Sequence, residues 1–140
     1  MADFKLEIVS PERLVISETA TSVTVPGADG YFTVMGEHAP LMSVLKPGFV
    51  TVVDTANASH VFYVRGGFAD VSPEGLTILA EDARPAADFD RAEVEAMIAD
   101  AQLELDAATT LEGRDVAQTR LDSWRNLMMD ASTLGAAATH

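Results

Sequence analysis

The sequence predicts a mainly β fold with an α-helical appendage. An antiparallel β-sandwich of about nine to ten short strands is expected over residues 1–84, followed by an antiparallel two-helix hairpin over residues 85–140. Three observations carry this division. Val, Ile and Thr number 22 in the first 82 residues and 8 in the last 58, and such residues favour the pleated, half-buried surface of a sheet. Seven of nine glycines and five of six prolines also fall in the first part, where turns must be frequent. Alanine runs the other way, with 8 in the first 82 residues and 14 in the rest, as helix formation favours.

In the first part, Phe4, Leu6 and Ile8 alternate with Lys5 and Glu7, the period of a half-buried strand. Leu14 and Ile16 follow Ser10-Pro11, and Val23 and Val25 lead into Pro26-Gly27. Further strands are expected at 31–34, 42–45, 49–54, 61–65, 68–71 and 76–80. Segments this close together leave no room for crossover helices, so pairing should be mainly antiparallel. The run Phe49-Val50-Thr51-Val52-Val53 is too apolar for a sheet with one wet face. It calls for two packed sheets or a flattened barrel.

In the second part, Val94, Ile98, Ala101, Leu105 and Ala108 form one helical stripe, with Glu95, Asp100 and Asp106 off it. Asp90, with Glu93 three residues on, is the expected N-cap and capping-box partner. Thr109-Thr110 and Gly113 interrupt the rhythm, giving a turn of about five residues. Ala117, Leu121, Trp124 and Met128, backed by Leu127, form a second stripe. Val94, Ile98, Leu105, Leu121, Trp124 and Met128 are therefore the residues expected to pack the hairpin. Residues 131–140 show no periodicity and are expected to fray.

The 140 residues suffice for one domain with a small appendage. With no cysteine there is no disulfide framework and no thiolate metal site. Nine basic residues against 22 acidic ones leave a net charge of −13, which argues against nucleic acid and anionic membrane surfaces as partners. The N-terminus carries no basic-then-apolar leader, and no run of about 18 apolar residues exists. A soluble, cytoplasm-compatible protein is expected. Catalytic patterns are lacking as well: no Walker sequence, G-x-S-x-G or G-x-G-x-x-G is present. His38, His60 and His140 are too scattered for a local zinc pattern. Glu81 and Asp82 are adjacent, so on a strand end they point to opposite faces. Arg65-Gly66-Gly67 reads as a tight turn between strands, with no helix behind it to hold an anion. No catalysis, metal or cofactor is expected. His38, in the loop Gly36-Glu37-His38-Ala39-Pro40, is a candidate partner contact.

Five motifs in register then give the chain a family likeness. They are Leu6-Glu7-Ile8-Val9-Ser10-Pro11, Leu45-Lys46-Pro47-Gly48, Gly66-Gly67-Phe68, Leu79-Ala80-Glu81-Asp82-Ala83 and, most distinctive, Pro26-Gly27-Ala28-Asp29-Gly30-Tyr31-Phe32-Thr33-Val34-Met35-Gly36-Glu37-His38-Ala39-Pro40-Leu41. On these the sequence resembles the ε subunit of F-type ATP synthases, called δ in mitochondria. The resemblance implies a non-catalytic rotor component whose ten-strand sandwich sits at the foot of the central stalk. There it grips the γ subunit and rests on the polar loops of the c-ring, at the cytoplasmic face of the bacterial inner membrane. By the same resemblance Asp29, Gly30, Tyr31, Phe32 and His38 face the c-ring.

In many members of that family the hairpin regulates, extending up the stalk so that basic residues of its second helix meet the catalytic α and β subunits. Here residues 111–130 hold Arg114, Arg120 and Arg125 against Glu112, Asp115, Asp122 and Asp130, so 3 − 4 = −1. Some members bind ATP through I/L-D-x-x-R-A, whereas Phe89-Asp90-Arg91-Ala92-Glu93-Val94 puts Arg-Ala directly after Asp. Weak inhibition and no nucleotide are expected, so that deleting residues 85–140 leaves hydrolysis nearly unchanged. Two other classes compete. A cupin-like metal enzyme would need two or three histidines converging with a carboxylate. An adaptor binding a peptide along a sheet edge would act outside any rotary complex.

Overall fold

The computed structural model describes residues 3–36 and 39–131. Nine strands come first: β1 (Phe4–Ser10), β2 (Arg13–Gly27), β3 (Gly30–Met35), β4 (Leu41–Leu45), β5 (Gly48–Asp54), β6 (Ser59–Val64), β7 (Gly67–Ser72), β8 (Gly75–Ala80) and β9 (Ala83–Pro85). A 3-10 turn, Ala86–Asp88, leads to helices α1 (Arg91–Ala107) and α2 (Leu111–Asp130). The expected tail beyond Ala131 lies outside the described residues.

The hinge of the architecture is β2. Its first half pairs antiparallel with β1, from Ser10↔Arg13 to Phe4↔Ala20. Its second half pairs with β5 and with β3. Ala20 belongs to both halves, facing Phe4 on one side and Asp54 on the other. The next residue, Thr21, is the extra residue of a bulge, and such a bulge bends a strand; its hydroxyl donates to the Val53 carbonyl at 3.2 Å. One layer is thus β4-β7-β8-β1 with the start of β2, and the other is β9-β6-β5 with the end of β2 and β3. The two segments expected as separate strands around Ile16 and Val25 are one bent 15-residue strand. Periodicity cannot see this, because a bulge shifts the alternation without ending the strand. All ladders are antiparallel except β1 with β8. The short β9, which runs across the expected boundary at residue 84, pairs with β6.

Every one of β1 to β8 sends side chains into the space between the layers. Phe4, Leu6 and Ile8 meet Val23, Val25, Val34, Leu45, Val50, Val52, Val64, Ala69, Val71, Leu76 and Ile78. Gly67, at φ +132°, shows how tightly the turns are cut: a Cβ there would collide with the Leu79 carbonyl oxygen. A second apolar cluster lies on the outer face of the β5–β6 layer. Phe49 and Tyr63 are buried there with Ala86, Val94, Leu127 and Ala131. Alternation divides β5 between them, Val50 and Val52 pointing into the sandwich and Phe49 out toward the hairpin.

Helix α1 starts as the sequence predicts, and α2 starts sooner after it than expected. Asp90 Oδ1 accepts from the amides of Ala92 and Glu93, and Thr110 Oγ1 accepts from Gly113 at 3.0 Å. The connection is therefore only 108–110, with Gly113 inside the first turn of α2. Helix propensity alone reads that glycine as a break. The Thr110 cap tolerates it, since a Cβ would sit 2.9 Å from Thr110 Oγ1.

Candidate functional site

Asp29 is exposed at the tip of the β2–β3 hairpin, beside Gly30 at φ +133°. This tip is tied to β4 by Ala28 N–H donating to Val44 O and Lys46 N–H donating to Pro26 O, both at 3.0 Å. Tyr31 and Phe32, adjacent on β3, are half-buried on opposite faces of their layer. Phe32 packs against the sandwich core, and Tyr31 reaches toward α2, where its hydroxyl donates to Asp130 Oδ2 at 2.9 Å. The same oxygen accepts the Phe49 amide at 3.1 Å. Burial above all pushes the Tyr31 hydroxyl well above its ordinary value; the Phe49 amide pulls the other way and Asp130 adds to the rise. His38 lies outside the described residues.

The hairpin residues divide by position. Val94, Ile98, Trp124 and Met128 gather with Leu127 over Phe49, Tyr63 and Phe89. The three rings meet edge to face or tilted, with centroids 5.1 to 5.9 Å apart, a geometry that aromatic quadrupoles favour. Burial raises Tyr63 to about 12. Leu121 is buried with Ala101 and Ala117 in the helix–helix seam, and Leu105 is half-buried. Glu93 takes no part in a reciprocal capping box. It pairs with Arg65 at 3.7 Å and Arg84 at 3.6 Å, while Arg84 also bonds Asp82. These ion pairs join the base of α1 to the sandwich and engage the Arg65 side chain of the Arg65-Gly66-Gly67 turn.

Sequence patterning alone does not single out a row of exposed apolar side chains on the sandwich. Strand register aligns Val44 with Phe68, Phe68 with Leu79, Leu79 with Val9, and Val9 with Leu14. The row crosses five strands on the outer face of the β4-β7-β8-β1-β2 layer, roughly 19 Å at the usual strand spacing. Phe68 is 48% exposed and Leu79 50%, and Met42 adds to the same face. A groove of about 430 Å³ beside them is lined by Val9, Pro11, Phe68 and Leu79 among others. Isolated exposed apolar residues are ordinary, but a contiguous row marks an interaction surface. The available signal was broken alternation: Leu76-Thr77-Ile78-Leu79-Ala80 and Met42-Ser43-Val44-Leu45 carry apolar residues at outward as well as inward positions.

The site offers little chemistry. Among the described residues no three His, Cys, Asp or Glu side chains gather to hold a metal. His60 meets Asp54 Oδ2 at 2.9 Å, but Asp54 also accepts from the Ala56 and Ala58 amides at 2.9 Å. The pair staples the exposed β5–β6 turn, and the hydrogen bond from His60 is the main reason the Asp54 carboxyl lies below its ordinary value. No helix among the described residues is long and apolar enough to cross a membrane.

Comparison with known proteins agrees with this geometry. The family model for the ATP synthase delta/epsilon chain β-sandwich domain matches residues 3–86. An ATP synthase epsilon chain from Mesorhizobium japonicum is 44% identical over 124 residues, 89% of this chain and 92% of that relative. Another from Allorhizobium ampelinum is 44% identical over 129 residues, 91% and 93% of the two chains. In fold, a chain from the Euglena gracilis mitochondrial ATP synthase OSCP/F1/c-ring structure superposes with a TM-score of 0.74 at 18% identity, over 92% of this chain and 81% of that one. A sandwich bent about β2, a docked two-helix hairpin and relatives this similar along nearly their whole length lead to one assignment: the chain belongs to the family of ATP synthase epsilon chains.

Proposed function

We propose that this chain is a central-stalk subunit of an F-type ATP synthase with no reaction of its own. It passes c-ring rotation to the catalytic head through γ, at the cytoplasmic face of the bacterial inner membrane. The observation that carries the reading is the apolar row Val44, Phe68, Leu79, Val9 and Leu14, which the docked hairpin leaves uncovered. A rotating joint needs a broad grip that does not slip, and a row of side chains fixed on five hydrogen-bonded strands provides one. We assign this face to γ. The tip carrying Asp29 and Gly30, together with His38, meets the polar loops of the c-ring, while Tyr31 and Phe32 anchor that tip from the two faces of β3.

Regulation by the hairpin is weak in this reading. Arg120 of α2 is paired with Glu104 of α1, and Arg125 donates to Gln102 at 3.4 Å. Two of the three cations that would meet the catalytic subunits are engaged within the hairpin, on a helix already at −1. Residues 1–84 and 85–140 then divide the labour between grip and hairpin. The test is co-expression with γ from the same source, followed by size exclusion and intact-complex mass. A one-to-one complex that survives truncation after Asp88, which keeps β9 whole, is expected. No association while both proteins are folded would overturn the stalk role and leave a sheet-edge adaptor in its place.

A further inference from the structure

The hairpin meets the sandwich at one end only. Its far half holds a seam of its own around Ala101, Ala117 and Leu121, while the near end docks through Val94, Ile98, Trp124, Leu127 and Met128. An element with its own seam and a single small dock can open as a unit. Apolar side chains alone would hold it loosely in register, because dispersion contacts have little directionality. Directional contacts cross the same interface in two places: Glu93 with Arg65 and Arg84 at the base of α1, beside the chain connection, and Tyr31 with Asp130 near the end of α2, away from it.

We infer that Tyr31 and Asp130 are the latch of the hairpin, setting the balance between its docked and undocked positions. The sandwich is built to present the Tyr31 hydroxyl. The β2–β5 ladder ends at Thr24↔Thr51, and the Pro26 carbonyl further along accepts the Lys46 amide. The Phe49 amide is taken up by the Tyr31 hydroxyl instead. Gly48 makes room for that reach, since a Cβ there would sit 2.6 Å from Pro26 Cβ and 2.8 Å from the Tyr31 hydroxyl. With its oxygen fixed by Phe49, the hydroxyl has one proton to give, and it goes to Asp130.

The other half of the latch defies local preference. Asp130 is the last residue of α2, and no basic residue lies in that last turn. A carboxylate is disfavoured at the negative end of a helix dipole. In the docked hairpin this carboxylate accepts a charge-assisted hydrogen bond from the Tyr31 hydroxyl, which undocking breaks. Undocking exchanges that bond for water on both sides.

The test uses the full chain alone and requires no rotary complex. The sequence has no cysteine, so a single thiol reports opening by its labelling rate. Ala131→Cys places it on the helix side of the dock and Ala86→Cys on the sandwich side, both positions buried in the cluster. In each background Tyr31→Phe and Asp130→Ala should speed labelling about tenfold, the scale of one hydrogen bond to a charged group. The double variant should label no more than about threefold faster than either single variant, as interacting partners do. Circular dichroism checks folding, and if Tyr31→Phe fails to fold, Asp130→Ala alone must still speed both thiols at least about threefold. The latch is overturned if the double variant shows the product of the two single effects. It is equally overturned if only the Ala131 site accelerates, which would mean fraying of the helix end.

Discussion

Replacing Phe68 with Thr is the sharpest probe of the proposed grip, because threonine keeps a strand-favouring, β-branched residue while removing the ring. A phenylalanine offers about 150–250 Å² to burial. With 48% of it still exposed in the free chain, roughly 70–120 Å² remains to be covered by a partner. At about 25 cal/mol per Å² this surface contributes ~2–3 kcal/mol, or about thirtyfold to 150-fold in Kd. The half of the ring already buried is lost from the free and the bound chain alike. It lowers stability but cancels from the binding constant as long as the chain stays folded. Calorimetric titration of the chain with γ measures the effect, with circular dichroism confirming the fold. A Kd within about threefold of the parent, in a folded variant, would show that γ does not cover this face.

Other consequences are equally accessible. Tyr31 and Tyr63 are the only two tyrosines, and both are raised by burial, so the folded chain should show no tyrosinate absorbance step near pH ~10, where the denatured chain titrates. Since the folded values lie above the unfolded one, stability is complete below about pH 10 and falls as pH rises toward about 12 for Tyr63; an ordinary step in the folded chain would refute the closed dock. Phe49→Ala should cost about 3–5 kcal/mol in denaturant unfolding and loosen the hairpin, read from the fluorescence of Trp124, the single tryptophan. Truncation after Asp88 should leave ATP hydrolysis by the assembled enzyme nearly unchanged, and severalfold activation would refute weak regulation.

Much of this architecture was legible in the sequence because its signals are local. Alternation in Phe4-Lys5-Leu6-Glu7-Ile8 and the stripe through Leu121, Trp124 and Met128 belong to single elements, and the Asp90 cap acts within one helical turn. The union of two apparent strands into β2 was not legible. It depends on Ala20 pairing with Phe4 and Asp54 at once, which only the folded chain reveals. The apolar row was hidden for the same reason: Val44, Phe68, Leu79, Val9 and Leu14 lie on five strands, and register alone makes them neighbours. Tyr31 fell within the stretch read as a contact edge, but its partner is 99 residues away.

The two working surfaces lie on opposite faces of the molecule, and β2 is the strand they share. The apolar row covers the outside of the β4-β7-β8-β1-β2 layer, and the hairpin dock covers the outside of the β9-β6-β5-β2-β3 layer, with the sandwich core between them. A hairpin that leaves its dock therefore uncovers Phe49 and Tyr63 without disturbing Phe68 or Leu79. This separation suits a subunit that transmits torque, because a grip sharing side chains with the dock would loosen whenever the hairpin opened. What connects the faces is backbone: β2 carries the row at Leu14 and borders the dock at Pro26, and its bulge at Thr21 lies between them. A rigid strand of this kind transmits force along its length. The hairpin, by contrast, is held by side chains at one end, where the Phe49–Tyr63 cluster, the Glu93 ion pairs and the Tyr31–Asp130 hydrogen bond meet.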